Sequence, residues 1–110
     1  MSDAPVLDLL AQMTVDSVAQ STLDGRDLAL VRLAGLVASD APPISYLANL
    51  GAAADLGLEV EDVQGVLIGV APIVGTARVM TAAGNIARAL GVAVAVVEAE
   101  IEAALAEGAE

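Results

Sequence analysis

Breaker residues recur along this chain at regular intervals, and the apolar residues between them keep helical rather than alternating spacing. Asp3 and Pro5 can open a first helix, because proline in the first turn gives up an N–H that has no helical partner. Val6, Leu9, Leu10 and Met13 form its apolar stripe, and Val18 extends it. Leu23-Asp24-Gly25 breaks that segment, and Asp24 or Gly25 starts a second helix from Arg26 to about Ser39. Apart from Asp27 and Arg32 that helix is almost wholly apolar, which predicts a central element buried on several sides. Asp40-Ala41-Pro42-Pro43 ends it and opens a third helix to about Leu56, with Gly57 as the C-terminal glycine.

Glu59, Glu61 and Asp62 gather at the start of a fourth helix, where the macrodipole favours acids. Val63, Val66, Leu67 and Val70 give it an apolar side before Pro72 interrupts it. Gly75-Thr76 leads into a fifth helix, about Thr76 to Leu90, which Gly91 is expected to end. Val92 to Val97 has the composition of a strand, but no partner strand exists elsewhere. The residues up to Glu107 keep helical spacing, with Val94, Val97, Ile101 and Leu105 on one face. The expected architecture is all-α, a single domain over 1–110 of five to six short helices.

Composition then decides what such a bundle can do. The 110 residues include no Cys, His, Trp or Phe and a single Tyr. Disulfides, thiolate zinc sites, thiol redox chemistry and imidazole bases are therefore excluded. Four arginines and no lysine stand against 15 acids, a net charge of −11, so there is no basic footprint for nucleic acid. The chain is also 57% apolar, with a mean hydropathy of +0.77. Its longest uncharged stretch, Val63 to Ala77, is interrupted by Pro72 and falls short of the roughly 20 residues a spanning helix needs. The acidic Met1-Ser2-Asp3 start lacks the basic region of a secretory signal, which gives the expectation of a cytoplasmic protein with no membrane partner. So small a domain has little interior for that much apolar surface, and a homo-oligomer is expected to cover the remainder.

The order of segments from about Arg26 to Gly91 resembles the carboxymuconolactone decarboxylase and alkylhydroperoxidase D-like family. The likeness is carried by the helix Leu28-Ala29-Leu30-Val31-Arg32-Leu33-Ala34-Gly35-Leu36-Val37 and by the segment from Tyr46 to Gly57-Leu58. The acidic helix start Glu59-Val60-Glu61-Asp62 and the Gly75-Thr76 junction complete it. The resemblance implies a helical bundle of the alkylhydroperoxidase D-like type, flanked at both ends by further helices and assembled as a trimer or hexamer. In the peroxidase branch a Cys-x-x-Cys pair, a His and a Glu carry the chemistry. Those positions fall here near Pro42, Ser45, Asn49 and Leu30, so every reactive group is missing. Thiol peroxidase activity is excluded, because a serine hydroxyl forms no catalytic disulfide. The decarboxylase branch keeps a His where this chain has Asn49, an amide that cannot exchange a proton near neutral pH.

What remains is a candidate pocket of Arg32, Ser45, Tyr46 and Asn49, with no catalytic residue assigned and no cofactor or metal expected. Ser45 and Asn49 share a helix face at i, i+4. Asn49 can hold a carbonyl or carboxylate, or simply bond a neighbouring backbone group. Tyr46 can offer its hydroxyl to a ligand or pack with that hydroxyl satisfied. Arg32, set in the most apolar helix, calls for a carboxylate such as Asp40 or Asp55, an acid of a neighbouring subunit, or a bound anion. Arg78 and Arg88 read as surface cations paired with the abundant acids. Glu98, Glu100, Glu102, Glu107 and Glu110 read as a solvated helix face without calcium-loop spacing. Gly65, Gly69 and Gly75 are spaced for close helix crossing. Two functions compete: a non-catalytic oligomeric binding or structural module, and a cofactor-free decarboxylase or lactone-acting enzyme on a small carboxylate.

Overall fold

Five helices follow one another in the computed structural model, which describes residues 3–108, the side chains of residues 92–98 and of Glu100 excepted. They are α1 (Pro5–Gln20), α2 (Gly25–Ala38), α3 (Pro43–Asp55), α4 (Val60–Val74) and α5 (Thr76–Gly108). No strand occurs among the described residues, so the all-α expectation stands.

The helix ends are local chemistry. Pro5 takes the first helical position of α1, so the cap falls on Ala4, and Asp3, expected to cap, sits one residue too early. Asp24 does cap α2, its Oδ1 accepting from the Asp27 N–H at 2.8 Å. α2 and α3 close in the same way. Ala41 N–H donates to the Leu36 carbonyl and Asp40 N–H to that of Val37; Leu58 and Gly57 repeat the pair on Ala53 and Ala54. Both closures need a left-handed residue. Gly57 supplies one at φ +81°, and Asp40 adopts φ +57° despite its side chain.

Two expected stops are not stops. α4 continues through Pro72 to Val74, because a proline this near the end forfeits only one hydrogen bond and Pro72 is exposed. α5 runs through Gly91 as one helix of 33 residues, so the fifth and sixth segments are fused and the last helix is not short. Among the described glycines only Gly57 and Gly75 have positive φ, so Gly91 keeps a helical backbone. An interior glycine costs about 1 kcal/mol, which the alanine- and glutamate-rich continuation tolerates. The backbone of residues 92–97 is helical, as expected over a strand. The expected face of Val94 and Val97 lies outside the described side chains, while Ile101 and Leu105 are exposed.

The core lies where α2, α3 and α5 meet. Tyr46 and Val37 are fully buried there, among Leu33, Leu50, Ala82, Ile86 and Ala89. α2 packs against α3, α4 and α5, the central position its composition predicts, although Val31 keeps one side in the open. α1 is different. It places no buried residue anywhere, and Val6, Leu7, Leu9, Leu10, Met13, Val15 and Val18 are all more than half exposed. No helix among the described residues is long and apolar enough to cross a membrane.

Candidate functional site

Two hollows in this framework involve the anticipated residues, and they differ in what they can hold. The first lies between α2, α3 and the start of α4. Leu30 and Asn49, two of the positions that the family resemblance marks for chemistry, do share it, together with Leu33, Leu50 and Asp62. Its volume is about 10 Å³, room for a single water at most. Asp62 is already committed. Its Oδ2 accepts from the Glu59 N–H at 2.8 Å, and its Oδ1 accepts from Arg26 Nη2 at 2.8 Å. The backbone hydrogen bond first, and then the bond and charge of Arg26, hold this carboxyl below its ordinary pKa against partial desolvation. Asp62 therefore joins α2 to α4 as an ion-paired helix cap and is a poor proton acceptor.

The second hollow is an open cleft of about 620 Å³ where α1 crosses α2 and α3. Leu10, Met13, Thr14 and Ser17 of α1 form one wall. Arg32, Gly35 and Leu36 of α2 form another, and Ala48, Asn49 and Ala52 of α3 complete it. Arg32 Nη2 donates to Ser17 Oγ at 3.0 Å and to the Thr14 carbonyl at 3.3 Å. The carboxylate expected beside it is missing: neither Asp40 nor Asp55 pairs with Arg32, and the sole ion pair among the described residues is Arg26–Asp62. The partners come instead from α1, as the Thr14 carbonyl and the Ser17 hydroxyl.

Of the four anticipated pocket residues, then, Arg32 and Asn49 meet in one cleft and the other two do not. Asn49 Nδ2 donates to the Ser45 carbonyl at 2.9 Å, a backbone bond within its own helix. Ser45 stays on the first turn of α3 and lines neither hollow. Tyr46 belongs to the core, wholly buried, and its hydroxyl finds no hydrogen-bond partner among the described residues, contrary to the satisfied hydroxyl expected of a packed tyrosine. Burial pushes its phenol pKa up, and the charge of Asp40 adds to that.

The remaining cations are not surface partners of acids among the described residues. Arg78 Nη1 donates to the Ala38 carbonyl and so caps the C-terminus of α2. Arg88 Nη1 donates to Asn85 Oδ1 at 3.1 Å, and Asn85 Nδ2 in turn donates to the Ala41 carbonyl at 3.1 Å. Asn85 is the buried polar residue of the core, on the face of α5 that also buries Ala82, Ile86 and Ala89, and sequence reading missed it because a lone Asn reads as surface. Among the described residues, nothing lies within 4 Å of where a Cβ would stand on Gly65 or Gly69, so neither glycine marks a close helix crossing there. Ser17 and Thr14 were also missed. The signal was present, since both continue the Leu10–Met13 face at helical spacing.

No family model matches the chain, and neither the curated proteins nor the solved structures contain a significant match to it.

Proposed function

We propose that this chain is a carboxymuconolactone decarboxylase-like protein that works as a homo-oligomer, a trimer or hexamer, in the cytoplasm. Its role is that of a non-catalytic binding or structural module. The observation that carries the non-catalytic reading is a separation of parts. The acid-containing hollow accommodates no more than a water, and the ligand-sized cleft is lined by a cation and no acid. A cofactor-free decarboxylase or lactone-acting enzyme would need both beside one substrate, because protonation and anion binding must act on the same molecule. Oligomer formation is supported by the apolar side chains left in the open on α1 and α4, with Ile73 85% exposed and Val6 69%. The high negative charge is the counterpart that keeps such an assembly dispersed.

The test is incubation of the full chain with a carboxylated unsaturated γ-lactone, following CO₂ release and loss of the lactone chromophore. No turnover above the protein-free rate is expected. Saturable turnover abolished by Asp62→Asn would overturn the non-catalytic reading and favour the enzyme.

A further inference from the structure

We infer that the cleft between α1, α2 and α3 is a binding site for a monocarboxylate with an extended apolar body, its head on Arg32 and its body along Leu10, Met13, Gly35 and Leu36. The inference rests on the binding-module reading above and names its ligand class.

Charge argues for the head. Arg32 is half-buried and is the only charged residue among the described residues of the lining, in a chain where acids outnumber cations. Its two hydrogen bonds both leave from Nη2 and both end on neutral oxygens. Nε and Nη1 have no hydrogen-bond partner among the described residues, so three of the five guanidinium N–H donors remain for an acceptor. Ser17 and Thr14 hold Nη2 and thereby fix the plane of the group, the preorganisation that a bidentate carboxylate contact requires. Asn49 also lines the cleft, and with one Nδ2 hydrogen on the Ser45 carbonyl it keeps a second N–H for an acceptor. One guanidinium without a second cation, inside a chain of net charge −11, suits a singly charged head over a phosphate dianion.

Shape argues for the body. At about 620 Å³ the cleft falls in the range of roughly 300–1,000 Å³ typical of small-molecule sites. Apart from Arg32, Asn49, Thr14 and Ser17 its walls are apolar. Gly35 leaves its floor open, with nothing within 4 Å of where a Cβ would stand. That same gap offers a block, because Gly35 lines the cleft and a Cβ there meets nothing within 4 Å among the described residues.

Octanoate is the probe, titrated calorimetrically into the full chain, with octanol and acetate as the body and the head alone. Octanoate is expected to bind once per chain, at least tenfold more tightly than either. Arg32→Gln should weaken octanoate about tenfold or more and leave octanol unchanged. Gly35→Leu, which improves helix propensity and so preserves the fold, should weaken octanoate and octanol alike. Arg78→Gln, whose side chain lies outside the cleft, should change neither. Equal binding of octanoate and octanol, insensitivity to Arg32→Gln, or no octanoate binding overturns the assignment. So does an Arg32→Gln variant that changes the oligomer mass while octanoate fails to bind, which would give the guanidinium to an acid of a second copy. Turnover of a lactone would remove the non-catalytic reading but leave these binding outcomes legible.

Discussion

α1 and the α2–α5 bundle have similar apolar content but put it to opposite uses. In the bundle, Tyr46 and Val37 lose all contact with solvent, and Leu33, Leu50 and Ile86 nearly all. In α1, seven large apolar side chains keep more than half of their surface, and none is buried. Burial is what stabilises a fold, at roughly 25 cal/mol per Å² of apolar surface removed from water. On that measure α1 contributes almost nothing to the single chain, and its apolar residues gain stabilisation only from something outside it. The contrast separates residues that hold the fold from residues that the single chain leaves exposed.

The largest expected effect tests that separation directly. Tyr46→Ala should cost about 3–5 kcal/mol in urea unfolding followed by helical circular dichroism, since it empties the centre of the core. Met13→Ala should stay within about 0.5 kcal/mol under dilute conditions, as expected of a side chain left more than half exposed. Similar losses at the two positions would break the comparison. Tyr46→Phe sharpens it. Removing an unsatisfied buried hydroxyl should leave stability unchanged or raise it by up to about 1 kcal/mol, whereas a measurable loss would mean that the hydroxyl has a partner.

The smaller effect concerns the ion-paired cap that joins α2 to α4. Because Asp62 has a lowered pKa in the folded state, the unfolded chain binds more protons as acid is added. The stability it contributes is fully present above the unfolded carboxylate pKa, about 4, and is lost as pH falls through the folded value. Asp62→Asn should therefore lower stability near neutrality and flatten the fall below about pH 4. An unchanged acid limb in that variant would show that other carboxylates carry it.

Much of this was written locally. Asp24 caps α2, Gly57 closes α3, and the Asp40 to Pro43 segment turns the chain between them, because caps and turns depend on a few adjacent residues. Gly91 misled, since a glycine ends a helix only where the chain needs a left-handed residue, and here the next segment continues the helix. The site was half legible. Leu30 and Asn49, positions to which the family resemblance points, line one hollow, but the volume they enclose is set by Leu33 and Leu50 packing around them, which no spacing encodes. Arg32 was singled out by its apolar surroundings. Its partners were not, because they depend on how α1 crosses α2, a tertiary relation between residues 15 and 18 positions away.

The central claim is that apolar surface unburied in one chain is buried between chains. Light scattering coupled to size-exclusion chromatography of the full chain at micromolar concentration tests it most directly. A mass three or six times 10.9 kDa is predicted, and a monodisperse species of 10.9 kDa would contradict it.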